Sequence, residues 1–227
     1  MEHGFTWLSG FGAYEPVATA AMVSLLLALL AIVVSRRVAK LGQSVDPEEG
    51  LTVRNVAEVL VDGMRRMAEG VLGHDHERYV PLLAAFFVYI LTCNLLGLVP
   101  GFLPPTGHFP MTFGLGLVSF AAYNAYGMKA QGAGNHLKHF LGPVIFIAPL
   151  MLIIELFSHG FRPISLGIRL FANMDADHKV LGLFTELTHF LIPVAFYVLG
   201  TFVSVVQAFV FTMLTAIYIS LAVAHDH

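Results

Sequence analysis

Apolar residues dominate five stretches of the chain, and a sixth follows a different period. Residues 17–35, from Val17 to Ser35, carry no charge. At about 1.5 Å per residue such a run matches the hydrocarbon thickness of a bilayer. Residues 79–99 and 111–128 predict a second and a third span. Residues 141–175 predict a long helical stretch interrupted by Pro143, Pro149 and Pro163. Residues 190–224 predict a last helix too long for one perpendicular crossing, which must tilt or protrude. Between the first two spans, Val53, Val56, Leu60, Met64, Met67 and Val71 recur at three and four, with Arg54, Glu58, Asp62, Arg65, Arg66 and Glu69 on the other face. That is an amphipathic helix over 51–72. It suits either the membrane interface or the helix of a partner.

The connections are short. Asp46-Pro47-Glu48-Glu49-Gly50 reads as a surface turn, and Pro104, Pro105 and Pro110 predict a structured, non-helical loop. Lys129 to His139 reads as a polar loop, and 176–189 as a polar connection. The pattern as a whole predicts an all-α polytopic membrane protein: a single domain over 1–227 with about five membrane-embedded helices and one interfacial helix.

Composition agrees. The 227 residues are 57% hydrophobic and 12% charged, against about 25% charged in soluble domains. A net charge of −3, with no basic run, gives no footprint for nucleic acid. The single cysteine, Cys93, lies in an apolar run and reads as a small buried hydrophobe. The first sixteen residues hold no Lys or Arg, so the apolar run after Pro16 is expected to stay as a membrane helix rather than leave as a signal peptide. Arg36, Arg37, Lys40, Arg54, Arg65, Arg66, Arg78, Lys129 and Lys138 fall on one side of a five-span chain, and Lys179 alone on the other. The positive-inside rule then puts the N-terminus outside and the C-terminus in the cytoplasm.

One helix breaks the apolar rule. In 141–175 the polar residues are Glu155, Ser158, His159, Arg162, Ser165, Arg169 and Asn173, spaced by three and four. They form one stripe. A charge at the bilayer centre costs at least ~2.5–3.5 kcal/mol, so the stripe is expected to line a wet cavity or meet another polar surface. Helix-packing glue normally takes Ser, Thr or Gly, not two arginines and a glutamate. On the last helix Gln207 could hydrogen-bond Arg169 without neutralising it. No Asp or Glu lies between Leu187 and Ala224 to pair with the arginine.

The run Ser165-Leu-Gly-Ile-Arg169-Leu-Phe-Ala-Asn173-Met174 resembles the signature of the a-subunit family of bacterial F-type ATP synthases. Asn94-Leu-Leu-Gly-Leu-Val-Pro-Gly101, Glu155, Arg162-Pro163, Gln207-Ala-Phe-Val-Phe211 and Leu214-Thr215-Ala216-Ile217-Tyr218 stand in that family's order. The resemblance runs from about residue 17 to near the end. It implies a proton-translocating stator subunit in the inner membrane, with two half-channels facing a ring of c subunits, alongside peripheral-stalk b subunits and the rest of the F1Fo complex. Arg169 would face the ring carboxylate, Asn173 and Gln207 would flank that contact, and Glu155 would lie on a proton path. The two last helices would form the tilted hairpin against the ring. Ser165 joins the path as part of the stripe.

Two departures stand out. Many members place a Glu/His pair where this chain has His178 and Gly200, so only the His remains. On a continuing helix Asp177 lies about 80° around the axis from Arg169, and His178 nearly opposite it. Asp177 is therefore favoured over His178 as the group nearest the Arg face, with His178 tuned by its carboxylate neighbours; the second acid is left to Asp175 or Asp177, with water as the other route. The loop after Pro104-Pro105 usually carries an Asp- or Asn-rich run; here it reads Thr106-Gly-His108-Phe-Pro110.

Other chemistries find little support. His74-Asp75-His76-Glu77, His136 with His139 and His225-Asp226-His227 lack metal-site spacing, so no metal and no cofactor are expected. No Gly-rich nucleotide loop and no H-E-x-x-H occurs. The chain is not expected to be an enzyme on its own. A secondary transporter or channel using Arg169 for an anion or substrate is the alternative, but the internal repeats of such carriers are missing.

Overall fold

The computed structural model describes residues 6–41, 52–132, 148–187 and 191–223. Among them it holds six α-helices and no strand: α1 (Glu15–Leu41), α2 (Val53–Leu72), α3 (Val80–Leu96), α4 (Phe109–Gln131), α5 (Ala148–Leu187) and α6 (Leu191–Val223). The expected turn at 46–50, His136, His139, residues 141–147 and the terminal histidines lie outside the described residues.

The apolar runs become helices because a backbone in lipid must satisfy its own hydrogen bonds. α1 and α6 are each long and apolar enough to cross a bilayer. Leu25, Leu29, Phe157, Val198 and Phe202 are all more than half exposed. An exposed apolar surface of this extent needs lipid or a partner against it.

Three expectations are corrected. Pro110 was expected to forbid helix; it sits in the first turn of α4, where no backbone N–H is required, and Pro105 opens a short 3-10 turn, Pro105–Gly107. The polar segment 176–187 is not a connection: α5 runs through it to Leu187, and Lys179 donates to Asp175 one turn back at 2.7 Å. Nor does Pro163 interrupt α5; it is carried inside the helix.

α3, α5 and α6 share one core of Phe86, Ile90, Leu166, Leu170, Met174, Ala208 and Phe211. A second core joins Met64 and Ala68 of α2 to Val80, Leu83, Tyr123, Ala216 and Ile219. The amphipathic helix thus lays part of its apolar face on the chain's own bundle, the partner the sequence left undecided. Its polar face carries the pairs Arg54–Glu58 at 2.6 Å and Asp62–Arg66 at 2.8 Å.

α4 and α5 run antiparallel at close range. A Cβ on Gly116 would collide with the carbonyl of Pro163, and one on Gly167 would lie 3.0 Å from the Cα of Phe113. At the opposite end from α2, the Trp7 N–H donates to the Gly101 carbonyl at 3.0 Å. Gly101 has φ of 89°, a conformation glycine adopts without penalty, and the Trp7 ring fills the space where a Cβ would point.

Candidate functional site

The polar stripe of α5 lies along the edge between the buried face of the helix and its open face, and neighbouring packing divides it. Ser165, Arg169 and Asn173 are exposed. Ile168 on the same side is 47% exposed, and Phe202, Val206 and Met213 of α6 are exposed too. By helical spacing these form an open face along the α5–α6 seam, away from α4. Arg169 has no hydrogen bond or ion pair among the described residues. It is a lone cation on an apolar surface.

The expected bond between Gln207 and Arg169 is not formed. Gln207 is 4% exposed and accepts instead from Asn173 Nδ2 at 2.7 Å, while its own Nε2 stays buried without a partner. The register of the antiparallel pair sets Gln207 level with Asn173, one turn beyond the arginine. The amide pair fixes the seam and leaves the guanidinium unengaged.

Asp177 and His178 are half-buried. A Cβ at Gly200 would fall 2.6 Å from Oδ2 of Asp177 and 3.0 Å from Leu98, so the carboxylate occupies the room a larger residue at 200 would need. Asp175 differs, because its carboxylate is held by Lys179.

From this region a buried polar set leads toward the 104–108 turn. Asn94 Nδ2 donates to the Ser204 carbonyl at 3.4 Å and Thr106 Oγ1 donates to Asn94 Oδ1 at 2.7 Å. Ser204 Oγ is buried without a partner. Unpaired buried polar atoms of this kind are where ordered water is found.

The other half of the stripe turns inward. Glu155 Oε1 lies 3.1 Å from His159 Nδ1, an ion pair when the imidazole is protonated. Arg162 lies over the rings of Tyr123 at 5.8 Å and Tyr218 at 5.3 Å. The i,i+4 spacing of Glu155 and His159 was a readable signal for their contact. Nothing in the sequence paired Arg162 with two tyrosines from α4 and α6.

A family model described as ATP synthase A chain matches residues 17–220. The chain belongs to this family. Its relatives include an ATP synthase subunit a of Bdellovibrio bacteriovorus, 41% identical over 98% of this chain and 99% of the relative. One from Solibacter usitatus is 39% identical over 97% and 95%. One from Citrifermentans bemidjiense is 38% identical over the full length of both. This sets aside the unrelated transporter. The family is one of polytopic membrane proteins, which the exposed apolar faces fit, and its members are proton-channel components of the synthase rather than catalysts themselves.

Proposed function

We propose that this chain is a single membrane domain serving as the proton-conducting stator of an F-type ATP synthase, with Arg169 facing the carboxylate of a rotating c-ring. The observation that carries the reading is an unpaired, exposed arginine on an apolar helix seam. Lipid is a poor neighbour for that charge; a partner's carboxylate is a good one.

The ring carboxylate must be neutral to travel through lipid and ionised where it exchanges its proton. A fixed positive charge between two half-channels favours the ionised form there. It also repels a proton that would pass directly from one channel to the other. Arginine stays charged when buried, because its delocalised guanidinium is too strong a base to give up its proton. The Asn173–Gln207 pair holds the two helices in register beside it. The outer route is formed by Asp177 and His178 with the polar set Asn94, Thr106 and Ser204. Glu155 opens the inner route, and Ser165 adds a hydroxyl one turn before the arginine. The b subunits and the rest of F1Fo complete the assembly, in the cell inner membrane with the N-terminus outside.

The test is Arg169→Ala. It is expected to abolish ATP synthesis while leaving or raising passive proton leak through stripped membranes, both normalised to assembled complex. An assembled variant that makes ATP at the wild-type rate would sink the reading. A loss of both activities in proportion to abundance would mark a structural arginine.

A further inference from the structure

We infer that His159 is a proton-carrying residue of the inner half-channel, working between Glu155 and the Arg169 region. The inference rests on the stator reading above and adds a residue to it. Three observations meet at this side chain. Its Nδ1 is buried and faces the Glu155 carboxylate at 3.1 Å. On the other side its ring centroid lies 6.1 Å from that of Tyr123, whose hydroxyl is buried. One turn further on, Arg162 is held over Tyr123 and Tyr218.

Glu155 lies fourteen residues from Arg169 and His159 lies ten. At about 1.5 Å per residue these are axial gaps of about 21 and 15 Å. The histidine therefore shortens the distance that water alone must cover. An imidazole accepts a proton on one nitrogen and releases one from the other, which a carboxylate on a fixed rotamer does less readily. A proton given up by the ring carboxylate passes through water to His159, which becomes imidazolium. It passes on to Glu155 and then to the cytoplasmic solution, and both side chains return to their starting charge.

The charged and titratable groups around His159 suit a relay that must not trap its proton. Glu155 attracts the imidazolium, Arg162 opposes it, and Tyr123 packs against it from α4. Arg162 makes no ion pair among the described residues. Its guanidinium is parked on the two rings, which leaves the Glu155 carboxylate for the histidine.

The experiment measures passive proton conduction through stripped membranes carrying the whole assembled membrane sector. His159→Gln keeps polarity without a titrating group and is expected to lower conduction by an order of magnitude or more. His159→Ala is expected to fall as far and to regain conduction on addition of imidazole, a response that a purely structural side chain would not give. Wild-type conduction in His159→Gln, or an alanine variant indifferent to imidazole, overturns the inference. Failure of both variants to assemble also overturns it, by making His159 structural. A wild-type membrane sector that does not conduct protons would instead overturn the stator reading itself.

Discussion

Arg169 shows how much a single side chain depends on what is absent around it. An acid on α6 at its level would neutralise it; the nearest amide, on Gln207, is taken by Asn173 at 2.7 Å. The helix wheel placed both residues near the arginine, and only the register of α5 against α6 decided which pair bonds. Asp175 and Asp177 differ for a similar reason. Asp175 is exposed enough to pair with Lys179 across one turn, whereas Asp177 points at the gap left by Gly200. A half-buried carboxylate without a lysine is the better group to hand a proton on. Asp177→Asn is therefore expected to lower proton-driven ATP synthesis several-fold, and Asp175→Asn to leave it near wild type. Synthesis rates in inverted membrane vesicles check this, and equal wild-type rates for both would remove Asp177 from the path.

At the scale of elements, hydrophobic period was enough to find every α-helix among the described residues, including the amphipathic α2, and bounds were where it failed. Polar residues in 176–187 resemble a loop when counted, yet they sit on a helix whose i,i+4 ion pair and buried Met174 and Leu181 sustain it. The closest helix contact, α4 on α5, rests on glycines that give no periodic signal. A methyl on Gly116 would strike the Pro163 carbonyl, while one on Gly114 meets nothing within 4 Å. Gly116→Ala is expected to destabilise the subunit by ~1–3 kcal/mol through overpacking. Gly114→Ala should be neutral or slightly stabilising, since alanine is the better helix former. Thermal unfolding of the purified complex compares the two, and equal midpoints would mean that α4 and α5 can separate freely.

For the whole molecule, charge asymmetry along the chain gives an orientation and the structure gives it a shape. Trp7 and the Gly101 loop meet at one end of the bundle; α2, with Arg65 near Glu77 at 3.3 Å, lies at the other. Nine basic residues on one side against Lys179 on the other lead us to propose that the α2 end lies in the cytoplasm. In a Cys93→Ser background, Gly10→Cys should react with an impermeant thiol reagent from outside only, and Arg66→Cys from inside only. Labelling of both from one face would overturn the five-span topology. The sequence alone determined the all-helical membrane class, the helix positions and the polar stripe, because bilayer burial and helical period act within each segment. Only the tertiary structure decided that Asn173 holds Gln207, that Asp177 fills the space at Gly200, and that Arg162 rests between Tyr123 and Tyr218. Those contacts join residues 23 to 56 positions apart, and they depend on helix register and on where a glycine leaves room, which no local pattern encodes.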